Sequence, residues 1–180
     1  MPHRRPDDRS LGCGRFLELL DRGSWEFVTR LRGHEVVGIV AWTDDDRLIL
    51  VEQDRPAVGG RTIELPAGLV GDEAHLVGND TVEAAAAREL LEETGFEASE
   101  WSPLVRGASS SGLTDEMVSI VVARGLRRVG EGGGVGNERI AVHLVPRAEV
   151  PAFLDRRQRE GLVLDIKVGL ALLVPPLKSR

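Results

Sequence analysis

Three glutamates, Glu89, Glu92 and Glu93, stand at positions i, i+3 and i+4 of one short stretch. On a helix that spacing sets their carboxylates beside one another on one face. Like charges so placed repel, at a cost of about 0.2–0.5 kcal/mol per pair on an exposed helix, and Arg88 is the one cation adjacent in sequence. A solvated acidic stripe is one explanation of such a cluster, and a bound divalent cation is the other. With no cysteine or second histidine nearby, the donors are all oxygen, which suits Mg²⁺ better than zinc. Magnesium bound through one or two carboxylates usually completes its shell with waters and substrate phosphate oxygens.

The element that must carry these groups is legible. Asp80 to Thr94 reads as a helix, with Asp80 as N-cap, Glu83 at the third helical position, Ala84 to Ala87 as strong helix formers and Gly95 as the stop. Ahead of it the pattern is strand after strand. Residues 1–14 form a loose charged leader, followed by the short segments Phe16 to Leu20 and Trp25 to Leu31. Val36 to Trp42 and Arg47 to Glu52 are apolar, β-branched runs, and Thr43 to Asp46 between them reads as a hairpin turn. Thr62 to Leu65 is a short strand, and Gly68 to Asn79 a loop. Beyond the helix, Met117 to Ala123 and Ile140 to Val145 read as strands flanking Gly130 to Gly136, a glycine-rich mobile loop. Pro151 to Arg159 and Asp165 to Val174 read as helices, the second apolar enough to pack on the sheet and stopped by Pro175 and Pro176.

Composition narrows the class. The chain has 180 residues, 42% hydrophobic and 29% charged, which suits one globular domain with an N-terminal appendage. A net charge of −6 argues against a nucleic-acid partner, since backbone binding depends on clustered Lys and Arg. An anionic substrate would therefore need a metal or local arginines. The single cysteine, Cys13, cannot close an internal disulfide, and no apolar run approaches the ~20 residues of a membrane span. The expectation is a cytoplasmic protein with no membrane partner. The histidines (His3, His34, His75 and His143) lack ligand spacing and read as solvated or packed, and Cys13 has no paired base.

The string Arg88-Glu89-Leu90-Leu91-Glu92-Glu93-Thr94-Gly95-Phe96 fits the second half of the Nudix box at every specified position. Together with Glu52-Gln53-Asp54-Arg55-Pro56 and Ile63-Glu64-Leu65-Pro66-Ala67-Gly68-Leu69-Val70, it makes the chain resemble Nudix hydrolases, and within them the ADP-ribose and nucleotide-sugar pyrophosphatases. The first half of the box departs from the pattern. Asp80 stands where a glutamate is expected, and eleven residues separate it from Gly68, six more than the family has. Lengthening a loop costs only a fraction of a kcal/mol in closure entropy, so the fold can accommodate the insertion.

The resemblance implies an α/β/α Nudix sandwich with a mixed sheet and a small N-terminal β subdomain. Residues 1–33 would serve dimerisation and 34–180 would form the hydrolase domain. It implies that Glu89, Glu92 and Glu93, with the backbone carbonyl of Ala67, hold Mg²⁺ or Mn²⁺ against a pyrophosphate. The general base would be Glu138 on the late loop, with Glu131 or Glu89 as alternatives. On the substrate side, Arg55 would contact the diphosphate, Glu64 the adenine or a water, and Trp25 and Arg30 the base across a homodimer interface; core packing and a solvated strand face are the other readings of that last pair. Gly112 and Glu116 would form the ribose loop, where Ser111 replaces the family's proline and leaves GDP-mannose and other sugar nucleotides open. A nucleoside triphosphate pyrophosphatase and a non-catalytic nucleotide-sugar sensor are the rival functions.

Overall fold

Alternation of buried and exposed side chains organises the N-terminal part into a three-stranded antiparallel sheet of β1 (Arg9–Cys13), β2 (Leu17–Arg22) and β3 (Trp25–Arg30). In β2, Glu18 and Leu20 face inward while Leu17 and Leu19 face out, the period of two that a half-covered sheet demands. The structure, a computed structural model, describes residues 5–33, 35–71, 80–136 and 138–176. β1 falls inside the stretch expected to be a loose leader. All five of its residues are exposed, so its order comes from pairing with β2 and not from any apolar pattern.

The expected turn at residues 43–46 is present, with the Thr43 N–H donating to the Arg47 carbonyl at 2.9 Å. The hairpin is not. Past the single bridge Trp42–Leu48, β4 (Glu35–Ala41) and β5 (Arg47–Arg55) part into different sheets. Both are apolar on both faces, and a strand of that kind must lie between neighbours with cover on each side. β4 is accordingly interior to the order β7-β4-β9-β8, and β5 to β10-β5-β6-β11, where β6 is Gly60–Glu64, β7 Ala67–Val70, β8 Phe96–Ala108, β9 Met117–Arg128, β10 Ala141–Pro146 and β11 Val163–Leu164. The β4–β9 and β6–β11 pairs are parallel and the rest antiparallel, so both sheets are mixed.

Helix α1 (Val82–Thr94) packs Ala85, Ala86 and Leu90 on Val37, Ile39, Ala41, Val121 and Ala123. On the opposite side Trp42, Leu48, Leu50, Ile63 and Ile120 meet Phe153 of α2 (Val150–Arg159) and Val168 and Ala171 of a 3-10 helix, Ile166–Leu173. The result is the expected α/β/α sandwich with a separate N-terminal sheet. Among the described residues, no helix is long and apolar enough to cross a membrane.

Several local expectations change. The N-cap of α1 is Thr81, whose hydroxyl accepts the Ala84 N–H at 3.1 Å; Asp80 instead accepts the Gly71 N–H at 3.0 Å and pairs with Arg88 at 3.2 Å. The stretch expected to be a loop from Gly68 begins as strand β7, and its residues 72–79 lie outside the described residues, as do His3, His34 and His75. Asp165 to Val174 holds a 3-10 helix and not an α-helix. Ile166 and Val168 are β-branched and Gly169 is a weak helix former, so the segment keeps only i→i+3 bonds such as Val168 N–H to Asp165 carbonyl at 3.1 Å.

Leu90 is fully buried under the sheet. Leu90→Ala is expected to lose about 2–5 kcal/mol of unfolding free energy, read as a lower urea midpoint, because it leaves a void on the helix that carries Glu89 and Glu93.

Candidate active site

Residues from β3, β5, β6, β7, α1 and the Ile166–Leu173 helix converge on a cleft of about 730 Å³. Helix α1 presents Glu89 and Glu93 to it. The 3.6-residue period makes them neighbours on one face, while Leu90, one residue past Glu89, is sunk in the core and fixes the helix's rotation. Glu93 is only 6% exposed, and its carboxylate accepts the Ala67 N–H at 3.0 Å. Burial pushes its pKa up to about 8. The Ala67 bond and the Arg55 charge oppose that shift, and the Glu89 and Glu138 charges add to it. Among the described residues no cation forms an ion pair with Glu93. Glu89 lies over Gly68, where an added Cβ would stand 2.0 Å from the Glu89 carboxylate, so glycine at 68 is what leaves this carboxylate its place. Arg88 approaches Glu89 at 3.8 Å. Glu92, the third of the trio, is half-buried and does not line the cleft.

The opposite wall is basic but already paired. Arg55 grips Glu64 through Nε and Nη2 at 2.7 and 2.8 Å. Desolvation would raise the Glu64 pKa, yet this fork and the Thr62 hydroxyl hold it below the usual carboxylate range. Arg30 meets Glu116 at 2.6 Å, and Lys167 meets Asp165 at 2.5 Å. Six carboxylates (Glu64, Glu89, Glu93, Glu116, Glu138, Asp165) therefore face three cations (Arg30, Arg55, Lys167) among the described cleft residues. With Glu93 protonated at neutral pH, an anionic ligand would enter a cleft that is two charges in deficit.

Glu138 lines the cleft, with its carboxylate accepting the Val135 N–H at 2.9 Å. The segment around it is irregular, as the glycines require, but its first part is not loose. Gly133 N–H donates to the Glu93 carbonyl at 2.8 Å and Gly134 N–H to the Glu92 carbonyl at 3.0 Å. The loop is thus stapled to the end of α1.

The structure brings Arg30, Arg55, Glu64, Ala67, Glu89, Glu93, Glu116 and Glu138 together and leaves Trp25, Glu92 and Gly112 outside the lining. Trp25 is 60% exposed at the far end of β3 from Arg30. Sequence reasoning missed Asp165 and Lys167, which reach the cleft because β11 pairs in parallel with β6, and nothing local to them signals that pairing. Glu52 turns to the other face, where Arg61, His143 and Arg157 surround it; His143, at 2.9 Å from Glu52, also packs on Phe153, which agrees with its reading as a packed histidine.

The donors fit a hard divalent cation. A buried carboxylate, Glu93, with no ion-pair cation among the described residues lies beside a second carboxylate, Glu89, and the donors are oxygen. Among the described residues no three acidic, histidine or cysteine groups are placed together so as to hold a metal ion.

A family model described as the NUDIX domain matches residues 32–164. The chain is 43% identical over 97 residues to an ADP-ribose pyrophosphatase of Mycobacterium tuberculosis, covering 52% of this chain and 43% of that protein. It is 34% identical over 142 residues to an ADP-sugar pyrophosphatase of Mus musculus, covering 69% and 59%. The chain thus spans about half the length of the curated relatives it matches first. The crystal structure of an ADP compounds hydrolase superposes with a TM-score of 0.64 at 22% identity, over 87% of this chain and 93% of that one, and shares its fold.

Proposed function

The chain belongs to the Nudix family, and from that premise we propose that it hydrolyses the pyrophosphate bond of a nucleoside diphosphate sugar, ADP-ribose first among them, using Mg²⁺ or Mn²⁺. The products are a nucleoside monophosphate and a sugar phosphate. One observation carries the reading: the buried Glu93 carboxylate, beside Glu89, faces the Arg55 fork across a single cleft.

In this reading Glu89 and Glu93 would hold the metal with the Ala67 carbonyl, with Glu92 behind them, and the ion, when bound, would neutralise charge on the diphosphate and make a water more acidic. Arg55 turns its fork from Glu64 toward the diphosphate, which suits a planar guanidinium better than an ammonium. Glu138 accepts the proton of the attacking water. The new P–O bond forms in line as the bridging P–O bond breaks, and the leaving phosphate carries the electron pair away. Glu64 orients the base, and Glu116, with Gly112 on its loop, serves the ribose. Trp25, remote from its own chain's cleft, would contact a base only from a second copy, so the working form is taken as a homodimer joined through residues 1–33, acting in the cytoplasm.

A hydrolysis screen of ADP-ribose, GDP-mannose, NADH, diadenosine polyphosphates and deoxynucleoside triphosphates, with Mg²⁺ or Mn²⁺, tests this. Release of inorganic pyrophosphate would transfer the chain to the triphosphate pyrophosphatases, and saturable binding without turnover would make it a sensor. Arg55→Lys keeps the charge and loses the fork. It should lower kcat/KM about 10–100-fold, the worth of one charge-assisted hydrogen bond, and an unchanged kcat/KM would remove Arg55 from the diphosphate site.

A further inference from the structure

We propose that the glycine run Gly132 to Gly134 is a positioning element that sets Glu138 against the carboxylates of α1. The proposal rests on the reading of Glu138 as general base. A helix leaves its last carbonyls without partners, and here a distant loop supplies them. The Glu92 and Glu93 carbonyls receive the N–H groups of Gly134 and Gly133, and the Gly95 carbonyl receives those of Val129 and Gly130 at 2.8 and 3.1 Å. Glu93 is therefore held twice, through its side chain to Ala67 and through its main chain to Gly133.

The contact is backbone on backbone and leaves no room for side chains. A Cβ on Gly132 would stand 2.4 Å from the Thr94 carbonyl carbon and 2.7 Å from the Glu93 oxygen, and one on Gly95 would stand 2.3 Å from the Gly130 oxygen. Both glycines have positive φ, 70° and 75°, where side chains are strained as well. The Gly133 carbonyl in turn accepts the Ile140 N–H at 3.2 Å, which closes the loop just behind Glu138. Two hydrogen bonds, Glu93 to Gly133 and Gly133 to Ile140, thus link a cleft carboxylate to the segment bearing Glu138. Gly134 completes the fit, since a Cβ there would meet the Glu138 carboxylate at 2.7 Å.

The test is a double-mutant cycle of Gly134→Ala and Glu138→Gln, with Mn²⁺ affinity and thermal midpoint measured for every variant. The atoms nearest the added Cβ at Gly134 belong to Glu138 and Ile140 and none to α1. In the wild-type background Gly134→Ala should lower kcat by about 10²-fold, the usual effect of an ångström-scale misplacement, with KM and Mn²⁺ affinity nearly unchanged. In the Glu138→Gln background it should lower kcat no further. Inserting one glycine after Gly136 touches no staple contact and costs little closure entropy, so it covers the case in which Gly134→Ala fails to fold. It should show the same fall in the wild-type background and none with Glu138→Gln. An equal fall in both backgrounds, or lost Mn²⁺ affinity, would overturn the proposal by tying the glycines to the metal helix. A wild-type protein with no pyrophosphatase activity defeats the functional reading itself, whereas an active wild type with a neutral Glu138→Gln leaves the hydrolase reading standing and defeats the base role of Glu138 together with this inference.

Discussion

Glu93→Gln is expected to give a protein that is better folded at pH 8 and nearly without turnover. Glutamine fills the same space, and its amide oxygen can still accept the Ala67 N–H. What it removes is a charge that burial opposes. In the folded chain Glu93 keeps its proton up to about pH 8, against the ordinary 4.5. Between those values the folded state binds a proton that the unfolded state has released, so without metal stability falls as pH rises through this window, and the full cost is present above it. At about 1.4 kcal/mol per pKa unit, the upper bound is about 5 kcal/mol. The variant should recover a few kcal/mol of this at pH 8 and nothing at pH 4, seen as a flattened dependence of the urea midpoint on pH. Mg²⁺ should restore stability to the wild type at pH 8, because an ion that binds only the folded state stabilises it, and should do far less for the variant. Losing even an outer-shell partner of a metal ligand costs about 10–100-fold, so turnover should drop by at least that factor. Near-normal activity in Glu93→Gln would end the metal assignment.

Glu138→Gln should lower kcat by about 10²–10⁴-fold, the contribution of a positioned general base, with a small effect on KM. The substitution is mild for the loop, since the amide oxygen can still take the Val135 N–H. A shifted KM with unchanged kcat would mean that Glu138 contacts substrate and abstracts no proton. An unchanged kcat would pass the base role to Glu89. Single-turnover measurements keep slow product release from masking the effect.

What was legible in the sequence was local. The α1 carboxylates could be placed because helical period, cap chemistry and a terminal glycine all act within a few residues of one another. Strand β8 was missed because its side chains are largely exposed, so no apolar alternation marks it. Glu92 shares the spacing of its neighbours yet does not line the cleft, a matter of how α1 is rotated on the sheet and not of spacing. Asp165 and Lys167 depend on the β6–β11 pairing across about a hundred residues, and the stapled glycines depend on unpaired carbonyls of a helix far back in the chain. Both are tertiary facts without a local pattern. The Gly130 to Gly136 run read as mobile because glycine signals freedom; at Gly132 and Gly134 it signals crowding instead.

The parting of β4 and β5 after one bridge has a mechanical consequence. Arg55 and Glu64 ride on one slab of strands, Ala67 and the cluster beneath α1 on the other, and Leu65 and Pro66 are the short covalent link between β6 and β7. A diphosphate touching both rims is then a clasp across two plates. Its binding should slow amide hydrogen exchange in β5 and β4 together, well beyond the residues it touches.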